Sequence, residues 1–296
     1  MNFWKVIFVV FVGIVIVTTA EDEHDTPRGV KQVEALKPGQ AIAAVLDDGY
    51  FVPTRKLEPG SPQLQGTVKV KGTVGLIISK DTDTHSQRVM VFDTGMAGVQ
   101  KAAICKGLRQ FGLTADDVQH VFVANGSPYR VGNMGMFHRA SFQTGLVIGS
   151  THLYDTAAAQ PHSELNVEDV NPETGKQFGR QDFRVDSNVR LIATPEATGP
   201  QDYSLVVDNV VGLTDNDADT VTVAYASDLI ANEQVLQGGG GAGSEKTLAS
   251  RKRLVCDEKA KFIVPGLGPR FELTDELVKS ICAGQTDSGA PATDSE

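Results

Sequence analysis

The segment Val121–Phe137, VFVANGSPYRVGNMGMF, constrains the fold more than any other part of the chain. Its apolar start, through Ala124, is typical of a buried strand, and the Asn-Gly-Ser-Pro sequence that follows is typical of a loop. The segment then passes through Gly132-Asn133 to a second apolar stretch that ends at Phe137. It therefore predicts a buried strand that delivers the chain to a polar loop.

Hydrophobic patterns along the rest of the chain predict strands that alternate with helices. The predicted strands are Ala41–Leu46, one or two within Thr67–Ser79, Arg88–Phe92, His120–Ala124, Val189–Ala193, Tyr203–Asp208, Thr220–Ala226 and Lys261–Val264. The predicted helices are Gly98–Phe111, with Val99 on its apolar face, Thr247–Lys259 and Leu273–Cys282. Asp155–Asp186 is interpreted as a surface insertion. Strands interleaved with helices indicate an α/β protein whose sheet faces are covered by helices.

Length and charge limit the possible partners. A chain of 296 residues can bury a sizeable core. Its net charge of −10 disfavours nonspecific nucleic-acid binding, which depends on neutralising phosphates with Lys and Arg. The one basic cluster, Arg251-Lys252-Arg253, is interpreted as an exposed helix face. Nucleic acid is therefore not an expected partner.

The first 20 residues have the pattern of a secretory signal peptide. Lys5 precedes the apolar run Val6–Val17, and Thr18-Thr19-Ala20 offers small residues for cleavage. The run is short for a membrane span, although an uncleaved signal anchor is the alternative. Residues 21–40 are polar and acidic and are interpreted as a mobile linker. We therefore expect a secreted protein with no stable membrane span after signal cleavage.

Secretion would place the three cysteines in an oxidising compartment. Cys105 lies within a helical pattern and is interpreted as a buried small hydrophobic residue. Cys256 and Cys282 could pair as a disulfide near the C-terminus, or both could remain buried free thiols. The sequence leaves both possibilities open.

Five segments in order resemble the motifs of the metallo-β-lactamase superfamily. They are Val91–Gly95, the Val121–Phe137 segment, Thr194–Thr198, Ala224–Leu229 and Ser250–Pro269. The resemblance covers about residues 41–275 and implies a four-layer αββα sandwich for that domain. Residues 276–296 would then form the end of a C-terminal helix and a polar tail.

The resemblance also implies that a metal site has been lost. Members usually hold two zinc ions with five His and two Asp ligands. The corresponding positions of this chain, which would line the former-site cleft, are Asn125, Ser127, Tyr129, Arg130, Ala197, Asp228 and Leu267. Only Asp228 keeps a ligand type, and Arg130 places a permanent positive charge where a dication would lie. No metal cofactor and no metal-dependent catalytic residue are therefore expected.

Other residues could supply chemistry in principle. Asp93, Asp202 and Asp228 could bind a hard cation, but the simpler interpretation gives each a structural role. In that interpretation Asp93 anchors a turn, Asp202 bonds to backbone, and Asp228 pairs with Arg130. Ser127 has no assignable His base and is interpreted as a turn residue. None of the six histidines forms an HxH pair or an i, i+4 pair.

The sequence favours a secreted, catalytically inactive protein that binds an anionic ligand or a protein partner. The alternative is a metal-dependent hydrolase, because superfamily members hydrolyse RNA, thioesters or β-lactams. A third possibility is a structural protein whose cleft is inert. Asn125-Gly126-Ser127 is also an N-glycosylation sequon, for which an unmodified loop Asn is the simpler interpretation.

Overall fold

A large mixed sheet, with a separate two-stranded ribbon, forms the framework of the protein. The structure is a computed structural model and describes residues 27–53, 68–144, 147–150, 182–194, 202–216, 219–237 and 243–283. The predicted signal peptide, Ala197, most of the predicted insertion and the polar tail lie outside these ranges. Across the described ranges, none of the helices combines the length and the apolar character that a bilayer crossing requires.

Each predicted apolar segment forms a strand. The strands are β1 (Gln40–Asp47), β2 (Tyr50–Pro53), β3 (Val68–Lys71), β4 (Val74–Lys80), β5 (Gln87–Phe92), β6 (His120–Val123), β7 (Ser141–Thr144), β8 (Val147–Ser150), β9 (Phe183–Arg184), β10 (Val189–Ala193), β11 (Tyr203–Val210), β12 (Val221–Ser227), β13 (Phe262–Pro265) and β14 (Phe271–Glu272). Of these, β2, β7, β8, β9 and β14 were not predicted. The sheet runs in the order β14-β13-β12-β11-β1-β4-β5-β6-β7-β8, and β10 joins β11 to β9. Strands β2 and β3 form the separate antiparallel ribbon.

The helices cover the sheet from two sides. They are α1 (Arg28–Ala35), α2 (Lys101–Gln110), the single turn α3 (Pro128–Val131), α4 (Glu245–Lys252) and α5 (Asp275–Cys282). A π-helical turn, Arg253–Asp257, continues α4. Thr114 and Asp117 form the capping box of a short 3₁₀ turn.

Three apolar clusters establish the layers. In the first, Ile104 and Leu108 of α2 pack on one face of β1, β4, β5 and β6. The second lies between the two halves of the sheet and includes Ile77, Leu205 and Tyr225. The third packs the far face of β10–β13 against α4, the π-helical turn and α5. The succession helix, sheet, sheet, helix confirms the predicted α/β class and the αββα layering.

Three predicted boundaries are wrong. The expected linker 21–40 contains α1, because Val33 packs on the first cluster and Gly29 lets α1 approach the end of α2 closely. Val99 lies before α2 rather than on its apolar face, and it is 59% exposed. The folded domain extends beyond residue 275, since Ile281 of α5 is buried in the third cluster.

The structure pairs Cys256 with Cys282, whose Cα atoms are 6.0 Å apart. The bond ties the π-helical turn to α5 across a sequence separation of 26 residues. Closing a loop of this length contributes about 3.5 kcal/mol in the chain-entropy description of disulfides. Cys105 is a free, partly exposed thiol in α2 rather than a fully buried one.

Candidate functional site

The site lies where four strands end at one edge of the layered sheet. Strands β5 and β6 are parallel neighbours, and β12 and β13 are another parallel pair, so each pair delivers its following residues to the same edge. Asp93 follows β5, Asn125 follows β6 by one residue, Asp228 follows β12 and Gly266 follows β13. The single turn α3 begins with Pro128 at its first position and carries Tyr129 and Arg130 over this edge.

Arg130 occupies the centre of the site, and its side chain is completely buried. Its Nη1 donates to Asp93 Oδ2 at 2.7 Å, and its Nη2 donates to Asp228 Oδ1 at 2.6 Å. Nε donates to the second oxygen of Asp228 at 3.2 Å, which makes that pair bidentate. Nη1 also reaches the Gly266 carbonyl at 3.4 Å. The predicted pairing of Arg130 with Asp228 is therefore confirmed.

Two further polar side chains hold Asp228. Asn125 Nδ2 donates to Asp228 Oδ2 at 2.8 Å, and the Tyr129 hydroxyl lies 3.3 Å from both carboxylate oxygens. The Tyr129 ring lies 5.1 Å from the Arg130 guanidinium carbon, within the range of a cation–π contact. The structure therefore brings three predicted site residues, Asn125, Tyr129 and Arg130, together around the Asp228 carboxylate.

The remaining predicted site residues contribute little to this cluster. The Ser127 amide donates to Asn125 Oδ1 at 3.0 Å, which is the turn geometry expected for that position. Leu267 is partly exposed, and its amide bonds to the Ala231 carbonyl at 2.7 Å. Ala197 lies outside the described residues. Among the described residues, the site is thus built from Arg130 and its hydrogen-bonding partners.

Asp93 has a larger role than the sequence indicates. Its Oδ1 accepts from the Ala124 amide at 2.9 Å, which is the predicted turn contact. Its Oδ2 accepts from Arg130 and also from the Ser227 hydroxyl at 3.1 Å. Ser227 was missed altogether. For Asp93, the topology of the sheet was the available signal. Asp93 follows β5, so it lies at the same edge as the residues that follow the parallel neighbour β6.

The backbone at the site is strained. Asp93 and Ser227 have φ angles of 58° and 47°, a region that non-glycine residues rarely adopt. Such residues cost about 1–3 kcal/mol each and tend to occur at functional sites. Gly266 completes the enclosure, because a Cβ atom there would collide with Arg130 Nη2 and the Ser227 carbonyl.

The charges of the cluster are strongly coupled. Burial favours loss of the Arg130 proton, but the two carboxylates outweigh it and raise the pKa of Arg130, which therefore stays charged. Burial would raise the pKa of Asp228, yet Arg130 and the hydrogen bonds from Asn125 and Tyr129 lower it overall. Burial raises the pKa of Asp93, and the nearby Asp228 charge adds to the rise. One guanidinium thus serves two carboxylates, of which Asp228 is the more firmly ionised.

The site does not fit a metal ion. The space bounded by Arg130, Asp93, Ser227 and the surrounding strands leaves no room for even a water molecule among the described residues. Both carboxylates already pair with the guanidinium, whose permanent charge would repel a dication. Nor does the described part of the chain hold any group of three His, Cys, Asp or Glu residues arranged to bind a metal. The described residues of this site therefore do not form a set of zinc ligands.

The comparisons with known proteins give low sequence identity throughout. No protein-family profile matches the chain, and no curated protein matches it. Among solved structures, a candidate metallo-β-lactamase from Thermotoga maritima is 15% identical with a TM-score of 0.49, covering 79% of this chain and 99% of its own. A quorum-quenching N-acyl homoserine lactone hydrolase is 18% identical with a TM-score of 0.46, covering 78% and 93%. A candidate metal-dependent hydrolase from Staphylococcus aureus is 9% identical with a TM-score of 0.48, covering 82% and 95%. At this level of similarity the comparisons do not establish a function, so the function has to be inferred from the residues of the site.

Proposed function

We propose that this protein is a secreted, non-hydrolytic member of the metallo-β-lactamase superfamily that acts by binding an anionic ligand or a protein partner. The observation that carries the proposal is the buried Arg130 between Asp93 and Asp228. It replaces a dication with a side-chain cation that cannot bind and activate water. In this proposal the former catalytic centre is structural, and the active surface is its rim.

The same geometry makes Arg130 unsuitable as the group that binds the ligand. Its Nε, Nη1 and Nη2 atoms all donate within the cluster, and its side chain has no solvent exposure. An incoming anion would have to displace a carboxylate from a bidentate, buried ion pair. Binding is therefore proposed at the partly exposed rim, where Asn125, Tyr129 and Leu267 are accessible.

The segment Ser250–Pro269 resembles the closing helix and last motif of metallo-β-lactamase domain-containing protein 1. The alternative function follows from that similarity, since an enzyme of this type would hydrolyse RNA, a thioester or an ester with bound metal. The absence of imidazole at Asn125, Ser127, Arg130 and Leu267 supports binding over hydrolysis.

A turnover assay separates the two functions. The purified chain is supplemented with zinc or manganese and offered a β-lactam, a lactone, a thioester and RNA in turn. We expect no product above a protein-free control. Metal-dependent turnover that persists in Asp208→Ala, a substitution of a surface carboxylate, but disappears in Asp228→Ala would overturn the proposal. Melting curves of both variants show whether a loss of turnover reflects misfolding.

A further inference from the structure

The rim of the Arg130 site contains the single Asn-Gly sequence of the chain, Asn125-Gly126. An asparagine that precedes glycine can lose its side-chain amide, because glycine has no Cβ atom to hinder attack by its backbone nitrogen on the neighbouring carboxamide. Gly126 is exposed, and its amide has no hydrogen-bond acceptor among the residues that the structure describes. The nitrogen that would attack in such a reaction is therefore accessible.

Two hydrogen bonds hold the carboxamide that would be attacked. The Ser127 amide donates to Asn125 Oδ1 at 3.0 Å, so a donor already faces the oxygen on which negative charge develops when the carbonyl carbon is attacked. On the other side, Asn125 Nδ2 donates to Asp228 Oδ2 at 2.8 Å. The nitrogen that would leave is therefore also a hydrogen-bond donor to the Asp228 carboxylate, whose side chain is only 10% exposed.

Replacement of that nitrogen by oxygen would bring like charges together. The new carboxylate oxygen would lie where Nδ2 now lies, 2.8 Å from Asp228 Oδ2. Asp228 already shares the Arg130 guanidinium with Asp93. The cluster would then hold three carboxylates around one guanidinium, and like charges at this separation repel strongly where little water is present.

We propose that Asn125 is a deamidation site through which the charge of the Arg130 cluster changes irreversibly. The Gly126 nitrogen forms a bond to Asn125 Cγ, the Cγ–Nδ2 bond breaks, and ammonia leaves with the proton of the Gly126 amide. Water then opens the cyclic imide, either at Cγ to give aspartate or at the main-chain carbonyl carbon to give isoaspartate. The modification does not depend on the proposed function, whereas its expected opposition to an anionic ligand at the rim does.

Peptide mapping by mass spectrometry tests the proposal on the folded, full-length protein. After incubation in mildly alkaline buffer, we expect the peptide with Asn125 to gain the Asn-to-Asp mass difference and to separate into aspartate and isoaspartate forms. Gly126→Ala should slow this gain several-fold, because its Cβ atom shields the attacking nitrogen yet meets nothing within 4 Å. Asn232 is the internal control and should keep its mass, since its side chain also accepts from a backbone amide, that of Val235 at 3.2 Å, but Glu233 follows it.

Three results of the mapping would overturn the proposal. The first is a folded protein that keeps the Asn125 mass while a urea-denatured sample gains it, because the fold would then protect the site. The second is an equal rate in Gly126→Ala, and the third is a glycan on Asn125, which would occupy the nitrogen that has to leave.

The variant Asn125→Asp measures the consequence for the cluster directly. We expect its melting temperature to lie about 4–10 °C below that of the wild type, because a donor to Asp228 is replaced by a like charge. Asn232→Asp is the matched control and should melt close to the wild type, since aspartate also caps that turn. An unchanged melting temperature for Asn125→Asp would contradict the effect on the cluster. Mass and melting temperature are measured without substrate, so failure here is distinguishable from failure of the turnover assay.

Discussion

Arg130 and Arg190 each bridge two carboxylates, and they differ mainly in their contact with water. Arg130 pairs with Asp93 and Asp228 at 2.7 and 2.6 Å, and its side chain is 0% exposed. Arg190 pairs with Asp208 and Glu258 at 3.0 and 2.7 Å, and its side chain is 28% exposed. The distances are similar, and the main difference is burial, although Glu258 also pairs with Arg253 at 3.3 Å.

The difference shows what each cluster can do. At the surface, water screens the charges, and such pairs are worth about 0–1 kcal/mol. In the interior, desolvation offsets much of the attraction, but removing one partner leaves an uncompensated charge. Loss of the Arg190 ion pairs should therefore change the stability of the fold little. Removal of Arg130 alone should destabilise it, so its carboxylate partners would have to be replaced together with it. That interdependence is the property expected of Arg130 under the proposed function.

The largest expected effect is that of Arg130→Met, which leaves two buried carboxylates without their cation. We expect the free energy of unfolding to fall by about 3–5 kcal/mol, measured by urea denaturation. Adding Asp93→Asn and Asp228→Asn should restore part of that loss. If the single variant is as stable as the wild type, the cluster is not the structural unit described here.

Asp228→Asn should lower the free energy of unfolding less than Arg130→Met does, because Arg130 keeps its ion pair with Asp93. We expect a loss of about 1.5–3 kcal/mol near neutral pH, the value of hydrogen bonds to a charged group. The pKa of Asp228 is lowered in the folded protein, so its stabilisation is present above its ordinary pKa of 3.8 and is lost as pH falls through the lowered value. The difference in unfolding free energy between the variant and the wild type should therefore become smaller in acid. A difference that becomes larger in acid would contradict the assignment of Asp228 as the firmly ionised carboxylate.

Gly266→Ala tests the packing around the guanidinium separately from its charge. The added methyl group would collide with Arg130 Nη2, so we expect a loss of about 1–3 kcal/mol from overpacking. Gly126→Ala is the matched control, because a Cβ atom at Gly126 meets nothing within 4 Å. Equal unfolding free energies for the two variants would show that the site is less tightly enclosed than its geometry indicates.

Arg190→Met should have the smallest effect of the series. We expect a change of about 0–1 kcal/mol that diminishes further in high salt, because the pair is screened by solvent. The relevant measurement is the unfolding midpoint beside that of Arg130→Met under the same conditions. A loss of stability as large as that of Arg130→Met would show that burial does not explain the difference between the two clusters.

The sequence predicted those features that depend on local patterns or on one strong pairwise interaction. Apolar alternation located the main strands, and the resemblance to the superfamily, whose metal site brings the two positions together, predicted the Arg130–Asp228 pair. Asp93 and Ser227 escaped prediction because their roles depend on which strands are parallel neighbours. The helix α1 was missed because its apolar residues are few and gain their stability only by packing on α2. Val99 was misplaced because helical periodicity cannot tell a helix from the loop before it.

Elemental analysis of the purified protein tests the central claim most directly. If a buried guanidinium holds the site, zinc and manganese should be present only in trace amounts relative to protein. Added zinc should then leave the melting temperature unchanged, because a ligand raises it only when it binds the native state. One or two metal ions per chain, with a melting temperature that falls on chelation, would contradict the account.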